Sequence, residues 1–284
     1  MPSTYAHYHF GNILIEGMPD NIKQIVTKYR ELYDIGVHGP DILFYYEPYH
    51  HNETSAIGFG MHDIIASEFF TRAYKSYHEY PDKEAMMAYL VGFVSHFCLD
   101  YIDHTYVESK IRASHISHTE IEVEYDRHLM VKDGLNPFKK DPASHLVPSD
   151  FNIKVVSHFF KETDEKHVAK AFKGMVFYLR LLKSSNGFKR NFLYTAFRAV
   201  GQYDSLHDQV ISKEVNPLCL DSNIRLDKLE KWAVELFRDL SKNMYEYLND
   251  ISPLDERFDK TFSYQDNVDD IKVLPLEMEK TYEI

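Results

Sequence analysis

The chain has 284 residues, of which 44% are hydrophobic and 14% aromatic, so it can bury a sizeable core. Its 32 basic and 44 acidic residues give a formal net charge of −12, which opposes non-specific attraction to nucleic acid or to an anionic lipid surface. Charge alone therefore predicts no nucleic acid polymer as a partner, and the sequence specifies no oligomeric state.

The start of the sequence shows no cationic segment followed by an apolar run, so no secretory leader is expected. The longest apolar segment, residues 85–99, contains Ser95 and His96 and is shorter than the roughly 20 residues that span a bilayer. The only cysteines, Cys98 and Cys219, lie far apart in apolar patterns, which is typical of reduced core thiols. We therefore expect a cytoplasmic protein with no integral membrane segment.

Apolar residues recur at every third or fourth position over most of the chain, which predicts α-helices. The predicted helices cover residues 22–32, 57–77, 83–108, 116–131, 151–160, 166–182 and 226–248. Asp82, Ser149 and Asp150 are placed to cap the helices that follow them. Since no run alternates as a strand does, the sequence predicts one all-α domain over residues 1–250. The acidic tail, residues 251–284, is expected to pack on that domain or to be partly disordered.

A stripe of polar side chains interrupts the most apolar predicted helix. His96, Asp100 and His104 follow one another at intervals of four residues, so they share one face of a helix. Apolar residues on nearly every side predict that Asp100 is buried, and an ionised buried carboxylate costs several kcal/mol unless something pairs with it. No Lys or Arg lies on this segment between Lys83 and Lys110. A bound cation would balance the carboxylate. Alternatively, Asp100 caps or pairs with a distant Arg, and His96 is a core histidine bonded to a carbonyl.

His118 and Glu122 repeat the four-residue spacing on the next predicted helix. Two adjacent helices that present imidazole and carboxylate groups toward one interface are how bundle metal sites are built. Di-iron carboxylate sites use Glu-x-x-His pairs instead, so that class is not favoured. With nitrogen and oxygen ligands and no thiolate, zinc is the leading candidate, and manganese or iron stay open.

Three further residues of interest fall in the histidine-rich first half of the chain. Asp41 follows a Gly-Pro break, which by itself is typical of a turn or cap residue. His62 is expected near the start of a helix, and His7 lies in the N-terminal segment. Singly, each is a weak signal.

Taken in order, these residues resemble the ligand pattern of the zinc-dependent phospholipase C family, which is similar to single-strand nucleases of the same superfamily. The resemblance extends through residue 122 and implies an all-α fold with a cleft for two or three zinc ions that hydrolyses phosphodiesters. It implies the following ligands: Asp41, His62, His96 and Asp100 for one ion, His104, His118 and Glu122 for another, and His7 with a bridging Asp100 for the third.

In those relatives the free amino terminus of the mature chain also binds the third ion. Here Pro2 favours removal of Met1, and the new terminus would lie five residues before His7, so Pro2 is a predicted ligand. The resemblance also implies that Asp41 orients or deprotonates the attacking water. The implied substrate is a small-molecule phosphodiester or a phospholipid head group.

Two other functions fit parts of the same sequence. An HD-type metal phosphohydrolase, also all-α, could use His38, the His62-Asp63 pair and Asp100, but it leaves His118 and Glu122 without a role. A non-catalytic helical protein could keep a structural metal, or use the cleft to bind a lipid or a protein.

Overall fold

Helices form all the regular secondary structure in the part of the chain that the computed structural model describes, which is residues 4–183, 187–212 and 214–284. The all-α prediction is therefore confirmed. The α-helices are α1 (Thr4–Ile15), α2 (Asp20–Lys28), α3 (Arg30–Gly36), α4 (Glu53–Asp63), α5 (Ala66–Glu79), α6 (Lys83–Ser114), α7 (His118–Lys132), α8 (Asp150–Ser157), α9 (Glu165–Leu182), α10 (Gly187–Ala199), α11 (Tyr203–Leu206), α12 (Leu220–Leu248) and α13 (Leu276–Glu279). The 3₁₀-helices are Gly39–Tyr45, His207–Gln209, Pro217–Cys219, Glu256–Phe258 and Val268–Asp270.

Helix α6 is the central element of the fold, and every residue of its segment 85–100 is buried. Asp82 caps it as predicted, because its carboxylate accepts a hydrogen bond from the backbone N–H of Ala85. By length and composition α6 could cross a membrane, but 89% of its most apolar window is buried inside the protein. That burial is typical of the core helix of a globular bundle.

Helices α3 and α6 cross with their backbones in direct contact. A Cβ atom added at Gly36 would lie 2.2 Å from the carbonyl oxygen of Tyr89, and one added at Gly92 would lie 2.4 Å from that of Tyr33. Only glycine permits so close an approach. The crossing fixes the end of α3, and the 3₁₀-helix Gly39–Tyr45 that follows it therefore lies over the middle of α6.

Several helix boundaries differ from those predicted. The predicted helix over residues 22–32 is divided at Tyr29 into α2 and α3, and the one over 57–77 is divided at Ile64 and Ile65 into α4 and α5. The second break arises because Ala66 donates its backbone N–H to the carbonyl of Lys260, a contact far away in sequence. His62 consequently lies in the last turn of α4, so its predicted position near a helix start is wrong. Helices α1 and α10 were not predicted.

The C-terminal segment, residues 251–284, packs against the helices through both apolar and charged groups. Phe258 and Phe262 are fully buried in the main core. Near the end of the chain, Glu279 accepts hydrogen bonds of 2.7 and 2.8 Å from the Arg225 guanidinium of α12. A paired guanidinium and carboxylate of this kind hold the segment in one position.

Candidate metal centre

Eight of the nine predicted metal ligands converge beside the middle of α6, and the ninth, Pro2, lies outside the described residues. Their ligand atoms form three groups, with all the atoms of each group within 4.8 Å of one another. The groups are His7, His96 and Asp100; Asp41, His62 and His96; and His104, His118 and Glu122. His96 belongs to two of them, so the first two groups share a side chain.

Five separate elements bring these side chains together. Helix α6 supplies the predicted stripe, and α1 supplies His7 from its first turn. Asp41 comes from the 3₁₀-helix that the α3–α6 crossing positions, and His62 from the end of α4. His118 and Glu122 lie on the first two turns of α7, after Ser117 caps that helix.

Asp100 lies at the centre of the arrangement and is buried, as predicted. Its carboxylate oxygens are 3.2 Å from Nε2 of His7 and 3.2 Å from Nε2 of His96. They are 3.6 Å from Nε2 of His62 and 3.9 Å from Nδ1 of His104. Within the described residues its ion-pair partners are these imidazoles, with no Arg or Lys among them, so the alternative of a distant Arg is wrong.

Several inaccessible polar atoms of the three groups have no hydrogen-bond partner among the described residues. Each unsatisfied buried atom costs about 1–3 kcal/mol, so a site that collects several of them is built for something that binds lone pairs. A divalent cation satisfies this requirement, and nitrogen and oxygen donors fit zinc, manganese or iron. The atoms are both carboxylate oxygens of Asp41, both ring nitrogens of His96, Nδ1 of His7, Oδ2 of Asp100 and Oε2 of Glu122.

Backbone carbonyls orient two of the histidines. His62 donates from Nδ1 to the carbonyl of Gly58 at 2.9 Å, and His104 donates from Nδ1 to the carbonyl of Phe262 at 2.7 Å. Each ring thereby keeps its Nε2 free to face the acidic groups, as second-shell contacts do in metal sites. Sequence reasoning missed both contacts, since any residue type can supply a carbonyl and Phe262 lies in the C-terminal segment.

The charges of the centre stabilise one another in the metal-free protein. Burial opposes the charged form of His104, but the carboxylates of Asp100 and Glu122 outweigh it and raise its pKa to about 10. Burial likewise opposes the charged form of His7, and Asp100 reverses that effect and raises its pKa. Conversely, burial disfavours ionised Asp100, yet His96 and His104 bring its pKa well below the usual range. Metal binding must therefore displace protons from imidazole.

We expect pH to have opposite effects on the metal-free fold and on metal affinity. A histidine pKa that folding raises from 6.5 to about 10 stabilises the metal-free protein fully below pH 6.5, and that stabilisation is lost as the pH rises toward 10. Zinc affinity should rise over the same window by ~tenfold per pH unit for each proton displaced. Thermal unfolding of EDTA-treated protein and competitive zinc titration measure the two slopes. The same slopes in His104→Gln as in the wild type would contradict this assignment.

The centre opens to solvent through a cleft of about 360 Å³. His62, His104, His118 and Glu122 form its polar wall, and His118 is the most exposed of the four. Among the described residues that line the cleft none is Lys or Arg. The lining residues are Phe44, Phe59, His62, Asp63, His104, Glu108, His118, Glu122, Ser263 and Tyr264.

An aromatic pair that the sequence did not reveal forms an apolar wall of the cleft. Phe44 and Phe59 stack with 4.2 Å between their ring centroids. Asp41 is not among the residues that line the cleft; its carboxylate lies 3.2 Å from Nε2 of His62, which does line it. Phe59 and His62 are three residues apart on α4, so the sequence could have indicated that Phe59 lies on the same side of the helix as His62.

The residues specific to the HD alternative do not join the three groups. His38 is buried with its Nε2 2.7 Å from Nε2 of His145, and its ring centroid is 6.5 Å from that of His7. Asp63 is at the cleft rim, where it accepts a hydrogen bond from Ser263. His118 and Glu122 therefore belong to the three groups of possible ligands, whereas His38 and Asp63 do not.

No protein-family model, curated protein or solved structure matches this chain. The resemblance to the zinc-dependent phospholipase C family therefore rests on the order, spacing and convergence of the eight side chains alone.

Proposed function

We propose that this protein is a zinc-dependent phosphodiesterase of the phospholipase C type, with two or three ions in the cleft. The proposed substrate is a small-molecule phosphodiester or a phospholipid head group. The observation that supports it best is the convergence of three His and acid groups around Asp100, beside an open cleft. A catalytic metal site keeps water or substrate in one coordination position, and an open cleft lets both reach the site.

The proposed ligand sets are those that the resemblance implies; the second coincides with one of the three groups, and Asp100 is available to both of the other ions. Pro2 stays a predicted ligand through its amino group. The sets are Asp41, His62, His96 and Asp100 for one ion; His104, His118 and Glu122 for a second; and His7, Asp100 and Pro2 for a third.

No Lys or Arg is among the described residues that line the cleft, so the proposed metal ions must supply the positive charge there. Phosphodiester cleavage builds negative charge on the phosphoryl oxygens, and divalent ions supply its neutralisation together with activation of water. Asp41 has two carboxylate oxygens without hydrogen-bond partners, so we propose that it orients or deprotonates the attacking water. His118 and Glu122, on the cleft wall, would hold an ion where a phosphate can reach it.

Purified protein should contain two or three zinc ions per chain by elemental analysis and should hydrolyse at least one of a panel of phosphodiesters. The panel comprises bis(p-nitrophenyl) phosphate, phosphatidylcholine in mixed micelles and a dinucleotide. Because the cations neutralise the phosphoryl charge, EDTA should abolish the activity and added zinc should restore it. Bound zinc with no turnover on any member of the panel would favour the non-catalytic alternative.

Two substitutions at the cleft mouth provide a matched comparison. His118→Ala removes one member of the outer group and should lower activity by at least ~100-fold. Asp63→Ala changes a residue of the same rim that belongs to no group and should alter activity by less than about threefold. The HD alternative requires the reverse order of these two effects.

A further inference from the structure

One segment of this acidic chain carries a quarter of its 32 positive charges and no negative charge. Residues 166–203 contain eight Lys and Arg residues and no Asp or Glu. Because the whole chain carries −12, removing these eight positive charges leaves −20 on the remainder. Screening at physiological ionic strength acts over about 8 Å, so a nearby partner senses this local charge rather than the net charge. The basic residues are Lys166, Lys170, Lys173, Arg180, Lys183, Lys189, Arg190 and Arg198.

The same segment exposes large apolar side chains. Phe188 and Phe192, one turn apart on α10, are 85% and 65% exposed, and Phe177 on α9 is 59% exposed. The opposite side of α10 packs through Leu193 and Phe197 into a small cluster separate from the main core. Helix α10 is therefore amphipathic with part of its outer side apolar and uncovered.

The lysines of α9 and Phe177 line two adjoining grooves, and Lys189 connects them to α10, which carries the exposed Phe188 and Phe192. One groove is lined by Lys166, Lys170, Lys173 and Phe177, and an adjoining groove by Lys173, Phe177 and Lys189, so the two share residues. The Lys189 ammonium donates to the carbonyls of Arg180 and Lys183, which joins the start of α10 to the end of α9. We call this surface the basic–aromatic face; it comprises Lys166, Lys170, Lys173, Phe177, Phe188, Lys189 and Phe192.

Some of its cations are free to contact an external partner. Within the described residues neither Lys166 nor Lys173 forms an ion pair, and both are exposed. Lys170 pairs with Glu47 and also lies over the ring of Tyr46. Acidic side chains of the described residues therefore neutralise little of the positive charge on this face.

The basic–aromatic face leads toward the metal cleft. Tyr49 and Tyr178, which border its first groove, also line a second cavity of about 480 Å³. Phe44 and Phe59 form another part of that cavity, and they are the aromatic wall of the metal cleft. Adjoining cavities that share aromatic side chains therefore extend from the face to the candidate metal centre.

We propose that the basic–aromatic face docks this protein on an anionic lipid membrane. Exposed Phe side chains beside Lys and Arg suit the interface of such a bilayer, where the rings enter the head-group region and the cations meet anionic lipids. A nucleic acid strand gains most from aromatic rings spaced along a positively charged groove, whereas Phe188 and Phe192 project from the surface of one helix. The inference is independent of the proposed hydrolase function, because docking is measured without turnover.

Vesicle sedimentation of the full-length protein tests the proposal. Binding to phosphatidylcholine vesicles that contain a quarter phosphatidylserine should exceed binding to pure phosphatidylcholine by at least ~tenfold at 0.1 M NaCl. Binding should fall by at least ~tenfold at 0.5 M NaCl. Lys166→Glu/Lys173→Glu should reduce it by at least ~tenfold, and Phe188→Ser/Phe192→Ser by a similar factor.

Matched control variants distinguish an effect of this face from an effect of the net charge of the protein. Lys231→Glu/Lys242→Glu makes the same charge change on α12, and Trp232→Ser removes an exposed ring from the same helix. Both controls should change vesicle binding by less than about twofold. Equal losses in controls and face variants would overturn the proposal, as would tighter binding to a single-stranded oligonucleotide than to the vesicles. Docking by EDTA-treated protein should persist, so failure of the hydrolase assay alone leaves this proposal standing.

Discussion

Asp100→Asn is expected to remove most of the bound metal and to lower phosphodiesterase activity by at least ~1,000-fold. The carboxylate lies within 3.9 Å of a nitrogen of each of four imidazoles, and its Oδ2 atom has no hydrogen-bond partner. Although burial opposes its ionisation, His96 and His104 keep its pKa well below the usual range, so the native group is a charged ligand. An amide removes that charge and one ligand oxygen. Elemental analysis should find at most one zinc ion per chain.

Asp103→Asn is the matched control, because Asp103 is buried on the same helix and belongs to none of the three groups. Burial raises the pKa of Asp103 well above the usual range and so favours the neutral form, which Asn closely imitates. Metal content and activity should therefore stay within about twofold of wild type. Full zinc occupancy in Asp100→Asn, or equal losses in the two variants, would refute the central role of Asp100.

The parts of the centre that follow from local spacing could be predicted from the sequence. His96, Asp100 and His104 lie on one face of α6, and His118 and Glu122 on α7, because a four-residue interval places side chains together on any helix. The burial of Asp100 was also predictable, since apolar residues surround it on the helix. Neither result required knowledge of how the helices pack.

The parts that depend on distant contacts could not be predicted. The break before α5 exists because the backbone around Ile65 pairs with Thr261, and periodicity alone continues the helix through that point. The same contact places Phe262, whose carbonyl orients His104. Helix α1 was missed because its buried residues lie on nearly every side, which leaves no clear polar face to mark the period.

Gly39→Ala is expected to disrupt the centre from outside the ligand set. The residue has a φ of +49°, and an added Cβ would lie 2.3 Å from Cδ2 and 2.8 Å from Nε2 of His96. That ring is fully buried and stacks on His7 at 4.4 Å between centroids, so it cannot move away freely. Left-handed strain and overpacking together should lower the free energy of unfolding by about 2–5 kcal/mol. The displaced His96 should also lower the metal content by at least one ion per chain.

Gly134→Ala isolates the backbone contribution to this effect. Gly134 also has a positive φ, of +70°, but nothing lies within 4 Å of its added Cβ. Its substitution should therefore cost only the conformational strain, about 1–2 kcal/mol, with zinc content unchanged. Urea denaturation of the EDTA-treated variants gives the two free energies, and elemental analysis of the untreated ones gives the zinc content. Because the variants differ in their contact with His96, equal destabilisation and equal zinc content would show that this contact does not hold the ring in place.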